Sequence, residues 1–486
     1  MGFTNDQKYA YSLLESGENV FLTGWAGTGK TYVLMKYIEA HKNEILVCSP
    51  TGIAANLING VTLHRLFGLS TTPCPKAGRK HLSVLEGCRT LVIDEISMVR
   101  RDIFSYVAQI VSNMEKKLNR HIQVVVCGDF AQLPPVVTKN DAGILRDYYG
   151  EDVGTVAYAF QAPEWEKLNF KTVMLREIIR QKDEIFLKKL NRIREGDLQA
   201  AYSMVEECAQ HDYDPDRMSL CSTNAAVSRI NERKLTEIQS PMRIYDAVVS
   251  GDVRKDEIVC EERLCIKEGC RVMLLVNLSE KRVNGMMGRV ISIKHNLFTD
   301  RDEIRVNWDR GGFSVISQYT WTTYRYTTKE SPNGKTVERE ACGTVTQIPL
   351  KLAYAITVHK SQGQTFDSVN LVLDTVFAPG QLYTALTRVR SFEGLYIAPG
   401  MRINALADPV VSNFYHSLQA AEHRQQTDQA PKKVKVETRG RKSTWRGEKT
   451  VIIRVPARLA ERLKAEAHRL LEEEMAESED YSLINH

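Results

Sequence analysis

The sequence predicts an α/β fold: two parallel-sheet domains, a short insertion in the first, an all-β insertion in the second, and a basic carboxyl-terminal extension. Three observations carry this. Apolar runs of strand length recur, each ending in glycine or polar residues and each followed by a helical stretch, as parallel β-α units require. One of them, Val20-Phe21-Leu22, feeds a glycine-rich turn and then the helical pattern Tyr32-Val33-Leu34-Met35. Between about residues 243 and 343 the pattern turns to alternating β-rich segments with the turn signals Asn284-Gly285 and Gly311-Gly312, after which α/β patterning returns. The expected units are residues 1–172 with an insertion at 66–82, 173–418 with an insertion at 243–343, a basic linker at 419–449, and a strand-helix tail at 450–486.

Composition bounds the class. A chain of 486 residues exceeds one ordinary core, and 43% hydrophobic with 26% charged residues is usual for a soluble globular protein. No run reaches membrane-span length and the first residues lack a basic-then-apolar signal, so the expectation is an intracellular protein without a membrane partner. Ten cysteines are scattered; Cys260, Cys265 and Cys270 are evenly spaced, but without a C-x-x-C pair or a flanking histidine no metal site is expected there.

The first element is a short helix from Asn5, capped by Thr4 or Asn5. On it Gln7 either reads an adenine edge with both faces of its amide or is an exposed helix residue; the residue alone does not decide. Gly24-Trp25-Ala26-Gly27-Thr28-Gly29-Lys30-Thr31 fits G-x-x-x-x-G-K-[ST], in which backbone N–H groups converge on phosphates, the lysine supplies a charge and the hydroxyl suits Mg²⁺. Ile45-Leu46-Val47-Cys48 is the next strand, with Thr51 in the loop at its carboxyl end, where open α/β sheets bind ligands. His64 and Phe67 beside Arg65 suit a stacking platform for single-stranded nucleic acid, and Phe67 equally suits a core. The Pro/Gly-rich basic stretch at 71–80 reads as a projecting loop.

Thr90-Leu91-Val92-Ile93 ends in Asp94 and Glu95, a Mg²⁺ partner and a water-activating base. Gln123-Val124-Val125-Val126-Cys127 leads to Gln132, placed to contact a γ-phosphate or to be an ordinary loop amide. Three strand tips carrying Lys30/Thr31, Asp94/Glu95 and Gln132 converge on one nucleotide, which makes a nucleoside triphosphatase the leading reading. Arg180 stands at the seam between halves. The β-rich insertion carries Lys281, Arg282, Arg289, Trp308, Trp321 and Tyr324 and reads as a small β-barrel that grips nucleic acid or is merely structural. A helix of small residues at 353–358 is expected to deliver Thr357, His359, Lys360, Ser361, Gln362 and Gly363 as a phosphate-contacting loop, and Arg388 lies on a later helix as a second candidate arginine finger.

Assembled, these residues resemble the Pif family of superfamily-one DNA helicases, relatives of RecD and the phage Dda helicase. The likeness runs in order: residues 24–31 for motif I, Ser49-Pro50-Thr51-Gly52-Ile53-Ala54-Ala55 for Ia, 93–99 for II, 128–136 for III, 175–181 for IV, 356–363 for V and 383–390 for VI. It implies two RecA-like domains with an SH3-like β-barrel inserted in the second and a wedge at 66–82. It implies ATP and Mg²⁺ as cofactors, with Lys30, Asp94, Glu95, Gln132, Arg180 and Arg388 as catalytic residues and Thr31 and Asp94 as metal ligands. Nucleotide contacts fall to Gln7, Gly24, Ala26, Gly27, Thr28, Gly29, Lys30, Thr31 and Gly363, and DNA contacts to Thr51, His64, Phe67, His359 and Lys360. The implied activity is 5′→3′ translocation on single-stranded DNA with unwinding of duplexes, and by extension of G-quadruplexes and RNA–DNA hybrids. Its partners are single strands and single/double-strand junctions. Its processes are DNA repair, recombination and telomere maintenance, its setting the cytoplasm or nucleoid of a prokaryote or phage-infected cell, and its state a monomer or a DNA-induced oligomer.

The tail departs from that core. Lys432-Lys433-Val434-Lys435 and Arg439-Gly440-Arg441-Lys442 are basic, and Thr450-Val451-Ile452-Ile453-Arg454-Val455-Pro456 with the following amphipathic stretch resembles half a ribbon-helix-helix unit; nonspecific phosphate binding is the favoured role. Two other classes compete with a helicase: a DNA-stimulated ATPase that remodels nucleoprotein without processive unwinding, and a DNA anchor with a vestigial ATPase. The retained Lys30, Asp94, Glu95 and Arg388 argue against the anchor.

Overall fold

A computed structural model describes residues 2–70, 73–75, 79–150, 157–178, 183–331 and 334–429. Two compact units divide the chain, Met1–Ser412 and Asn413–His486, and both parallel sheets lie in the first.

The first sheet contains β1 (Val20–Gly24), β2 (Ile45–Ser49), β3 (Val61–Thr62), β4 (Thr90–Ile93), β5 (Gln123–Cys127) and β6 (Lys171–Leu175), in the order β3-β2-β4-β5-β1-β6. All pairings are parallel, and every residue of β1, β2, β4 and β5 is buried, as expected of strands covered on both faces. This order makes β4, β5 and β1 neighbours, so the tips bearing Asp94, Gln132 and the glycine-rich loop share one edge. Strand β6 pairs with β1 through Gly24↔Leu175, so the first domain extends past residue 172; Val173-Met174-Leu175 is its last strand rather than the start of the second domain.

Local chemistry fixes the helices around this sheet. Helix α1 (Asn5–Glu15) is closed by a capping box in which the Thr4 hydroxyl accepts from the Gln7 N–H while the Gln7 side chain accepts from the Thr4 N–H. Helix α2 (Lys30–His41) starts from Gly29 at φ 81°, α3 (Gly52–Leu57) is capped by Thr51, and α4 (Leu63–Phe67) is capped by Thr62 and stopped by Gly68 at φ 64°.

The second sheet contains β7 (Met218–Cys221) with the strands Ala355–Thr357, Val369–Val372 and Leu395–Ile397, all parallel. The segment expected to be a helix at 353–358 is therefore a strand followed by turns. The run is too short for a 3.6 period to be distinguished, and its parallel pairing with β7 decides the matter. The core of this domain includes Ala26 and Leu133 from the first domain's loops, so the two domains share one apolar cluster.

The insertion runs from Met242 to Leu352 and is antiparallel throughout. Its strands form sheets of five, three and two rather than one continuous ladder. Trp308 is 2% exposed at the centre of its core, so it belongs to packing and not to the nucleic-acid face. A long hairpin, Tyr319–Ser331 with Gly334–Gln347, leans on the first domain: the Tyr326 hydroxyl accepts from the Val47 N–H at 3.2 Å, the Val337 N–H donates to Asn43 at 3.1 Å, and Lys335 pairs with Glu86 at 2.7 Å. Of the wedge, residues 71–72 and 76–78 lie outside the described set, while the base is held by the Cys74 N–H on Asp102 at 2.6 Å. At the other end, helix Pro409–Gln429 replaces the polar linker expected from residue 419; no glycine or proline interrupts it, and its polar composition had masked the helix. The basic stretch and the strand-helix tail beyond it fall outside the described residues. Among the described residues, no helix is long and apolar enough to cross a membrane.

The insertion is docked through Arg65 on α4. This side chain, 5% exposed, pairs with the Glu257 carboxylate, which is 8% exposed, and donates to Asp252 at 2.8 Å. Arg65→Met is expected to lower the unfolding free energy by about 3–5 kcal/mol, because it leaves Glu257 buried without its partner, whereas Arg65→Met with Glu257→Leu recovers most of the loss. Urea denaturation measures both; a cost below about 1 kcal/mol for the single variant would show that the insertion is held by something else.

Candidate active site

The glycine-rich loop closes on itself and on its neighbours. Gly24 has φ 145°, and a Cβ there would meet the Leu175 carbonyl at 2.3 Å; Gly27 and Gly29 both have φ 81°. The Lys30 ammonium donates to the carbonyls of Gly24 at 2.8 Å and Trp25 at 3.0 Å, and the Thr28 hydroxyl donates to Trp25 at 2.9 Å. Thr31 is exposed on the first turn of α2. Gln7, 1% exposed, donates its amide N–H to the Thr28 carbonyl at 3.0 Å, which fixes α1 to the loop and excludes the exposed-helix reading.

At the neighbouring tips, Asp94 is 6% exposed and accepts from the Glu95 N–H at 2.9 Å. Glu95 adopts the left-handed region at φ 51°, a costly conformation for a non-glycine residue and one that turns its side chain away from the strand direction. Burial, followed by the charge of Asp94, raises the Glu95 carboxyl from 4.5 to about 7, against the opposing influence of Arg388 and Lys30. Burial likewise pushes Asp94 up and the Lys30 ammonium down. Two acids that resist ionisation beside a lysine that resists protonation form a place short of positive charge, and this donor set fits a hard divalent cation with oxygen ligands from Asp94 and Thr31.

The second domain supplies five groups to this edge. Gln362 donates to Glu95 Oε2 at 2.8 Å. The Tyr383 hydroxyl, buried, accepts from the Ala26 N–H of the glycine-rich loop at 3.3 Å. Arg194, at the end of helix Glu184–Arg194, pairs with the buried Asp129 at 2.9 Å. Gly380 presses on the turn bearing Gln132 so closely that a Cβ would meet the Gln132 carbonyl at 2.3 Å. Arg388 is 3% exposed and lies in the turn after helix Gln381–Leu386 rather than on the helix itself, its guanidinium donating to the Thr384 carbonyl and the Thr387 hydroxyl at 3.0 Å each, and its charge acts on Glu95. Arg180 lies outside the described residues.

The residues expected to contact DNA fall on both domains. Thr51 caps α3, and Gly363, at φ 77°, lies so near that helix that a Cβ would meet the Leu57 side chain at 3.1 Å. His64 and His359 are half-buried, with burial lowering both imidazoles, and Lys360 is exposed. Phe67 is 3% exposed and offers no ring face for stacking; its place is in the core. Trp321 and Tyr324 of the insertion line a shallow cleft with Gly52 and Ala55 of α3, which adds aromatic surface where Phe67 does not. Gln362 is one of the residues expected in the phosphate-contacting loop, and Tyr383 and Asp129 stand inside recognised strings without a role of their own, while Arg194 lies in an ordinary amphipathic helix and nothing local marks it.

Comparison with known proteins agrees with this geometry. The sequence pattern described as PIF1-like helicase matches residues 2–203, and that of the UvrD-like helicase C-terminal domain matches residues 352–397. The chain is 33% identical over 430 residues to the ATP-dependent DNA helicase Pif1 of Bdellovibrio bacteriovorus, covering 84% of this chain and 91% of that one. It is similar to the crystal structure of Bacteroides sp Pif1 in complex with ADP-AlF4, with TM-score 0.71 and 33% identity over 87% of this chain and 98% of the other. It is also similar to Pif1 helicase from Bacteroides in complex with ADP-AlF3 and ssDNA, with TM-score 0.60 and 34% identity over 86% and 98%.

The raised Glu95 pKa has a consequence for stability. The folded state holds this proton more tightly than the unfolded chain, so the stabilisation is complete below pH 4.5 and is lost as pH rises through about 7. Melting the protein without divalent cation between about pH 5 and 8 should therefore show a decline that Glu95→Gln lacks. A wild-type decline no steeper than that of the variant would place the Glu95 pKa near its ordinary value.

Proposed function

The chain belongs to the PIF1-like helicase family, and from that premise we propose that it is an ATP-dependent DNA helicase that moves 5′→3′ on single-stranded DNA and opens duplexes at single/double-strand junctions. G-quadruplexes and RNA–DNA hybrids are further substrates of the same motor. The observation that carries the reading is the hydrogen bond from Gln362 to Glu95, because it joins the catalytic carboxylate of one domain to the loop of the other that carries His359 and Lys360.

The chain's own groups divide the work. Lys30 and the loop amides hold the β- and γ-phosphates, Glu95 accepts the proton of the attacking water, and Gln132 senses the γ-phosphate at the adjacent tip. Asp94 and Thr31 would hold Mg²⁺, which would supply positive charge to neutralise the phosphate oxygens. Arg388 and Arg180 act from the second domain on the charge that grows in the transition state. Gln362 and Gly363 are consecutive: one touches Glu95 and the other abuts α3, whose cap is Thr51. A change at the nucleotide therefore alters the spacing between the two halves of the DNA track, and closing and reopening the cleft advances the domains along the strand.

Turnover is expected to rise at least about tenfold when single-stranded DNA is added, and Lys30→Ala is expected to abolish it while DNA affinity changes less than about threefold. Strand displacement should be faster on a 5′-tailed than on a 3′-tailed duplex. Hydrolysis indifferent to DNA would defeat the helicase reading, and faster displacement of the 3′-tailed duplex would reverse the polarity.

A further inference from the structure

A cavity of about 520 Å³ lies where the insertion meets the first domain, a volume in the range of small-ligand sites. Arg65 of α4 forms one wall and Val84 of the short 3-10 helix Arg79–Gly87 another; Arg254, Arg325, Thr327 and Thr328 of the insertion form the rest. Helix α4 leads into the segment 66–82 expected to form a wedge, and Arg79–Gly87 leads out of it. The cavity therefore sits at the base of that segment. His64, expected to contact DNA, is the chain neighbour of Arg65.

Three guanidinium groups line the cavity, and they differ in how they are matched. Arg65 pairs with Glu257 and donates to the Asp252 carboxylate at 2.8 Å, so these charges neutralise one another. Asp252 is the one acid among the described lining residues, and it is compensated in this way. Arg325 donates to Glu340 at 3.0 and 2.9 Å, but both side chains are 51% exposed, where an ion pair is weak and readily exchanged. Arg254 is half-buried and has no carboxylate on its side chain among the described residues. Its backbone N–H donates to the Glu257 carboxylate at 3.0 Å, while its guanidinium makes one long contact, from Nη1 to the Leu69 carbonyl at 3.5 Å. A guanidinium carries five donors in a flat fork, so most of this one is left for another acceptor.

Guanidinium forks beside the half-buried Thr327 and Thr328 hydroxyls suit an anion with several acceptor oxygens, and a phosphate ester has that form. We infer that this cavity binds a backbone phosphate of DNA at the single/double-strand junction, with Arg254 and Arg325 as its contacts. The inference rests on the DNA-helicase reading above and adds a phosphate site beyond Thr51, His64, His359 and Lys360. Its place at the base of the segment 66–82 assigns the phosphate to DNA that has reached the junction rather than to the single strand alone. Contacts of this kind fix position and carry no base preference, as a motor that must open any sequence requires.

Equilibrium binding of the full chain to a 5′-tailed duplex and to a single strand of the tail sequence tests this, read by fluorescence anisotropy from about 50 to 200 mM salt. Arg254→Ala is expected to weaken binding of the tailed duplex about fivefold and to make the slope of log affinity against log salt shallower by about 0.9. Binding of the single strand is expected to change less than about twofold. Arg254→Ala/Arg325→Ala should flatten the slope by about 1.8, and Arg254→Lys, which keeps the charge, should retain it. Lost affinity at an unaltered slope would mean that Arg254 only braces Leu69, and it overturns the inference; so does an equal loss on both DNAs, or no loss on either. Should Arg254→Ala fail to melt cooperatively, Thr328→Glu carries the test by placing a carboxylate in the cavity: tailed-duplex binding weakened at least about fivefold supports the inference, and unchanged affinity refutes it. A free phosphate ester is told apart from the strand with dTMP. If dTMP raises the melting temperature of wild type but not of Arg254→Ala, while tailed-duplex affinity is the same in both, the cavity is a mononucleotide site and the assignment to DNA falls. ATP-driven displacement of the same tailed duplex by wild type is read alongside. Its absence would defeat the helicase reading and leave the binding comparison intact.

Discussion

Buried charge at the carboxyl edge of the first sheet is the constraint on which the remainder depends. Asp94, Asp129 and half-buried Glu95 lie at the tips of β4 and β5, and the charge of Lys30 acts on all three. Uncompensated carboxylates in that setting are costly. The second domain answers with Arg194 on Asp129, an amide from Gln362 on Glu95 and the field of Arg388. The cleft is therefore closed for an electrostatic reason as well as an apolar one, and the groups that close it are those that a nucleotide and its cation would compete with. A motor needs this balance: a closed state stable enough to assemble the site, held by contacts that the substrate itself can replace.

The apolar contribution acts at the same place. Ala26 lies in the glycine-rich loop and Leu133 follows Gln132, yet both belong to the second domain's core cluster. Gly380 brings the second domain against the Gln132 carbonyl, where no side chain fits, and the Tyr383 hydroxyl takes the Ala26 N–H. Packed contacts have few intermediate arrangements, so a small displacement of the second domain is passed to the loop and to the Gln132 turn rather than absorbed.

Much of this was legible in the sequence, for identifiable reasons. The first sheet is read correctly because its strands are buried on both faces and its loops carry residues whose chemistry requires a fixed spacing, as in Gly24 to Thr31. The segment around Thr357 was misread as a helix because its strand is three residues long, and only pairing with β7, more than a hundred residues earlier, establishes it. Phe67 shows a different limit: an aromatic beside Arg65 looks the same in sequence whether the ring faces solvent or core, and only the folded structure shows it buried. The linker expected at 419 was misjudged because polar composition was taken for lack of structure, although nothing there breaks a helix. Within the site, Arg194 was invisible because its partner Asp129 is 65 residues away and its own helix has an unremarkable amphipathic pattern.

The insertion shows how a structural brace also constrains DNA access. Asp252 and Glu257 hold Arg65, and the Asp256 carbonyl lies where a Cβ on Gly52 would be, at 2.3 Å. These contacts fall on α3 and α4, the elements that carry Thr51 and His64, and they bring acidic groups beside the residues expected to contact DNA. Burial lowers the His64 imidazole, which disfavours its charged form. Positive charge is exposed at Lys360 and, on the insertion, at Lys281, whereas α4 holds Arg65 against Asp252 and Glu257. A surface made only of strong ion pairs would hold each phosphate too firmly to let a strand advance, so a mixture of exposed cations and compensated ones suits a protein that moves on DNA.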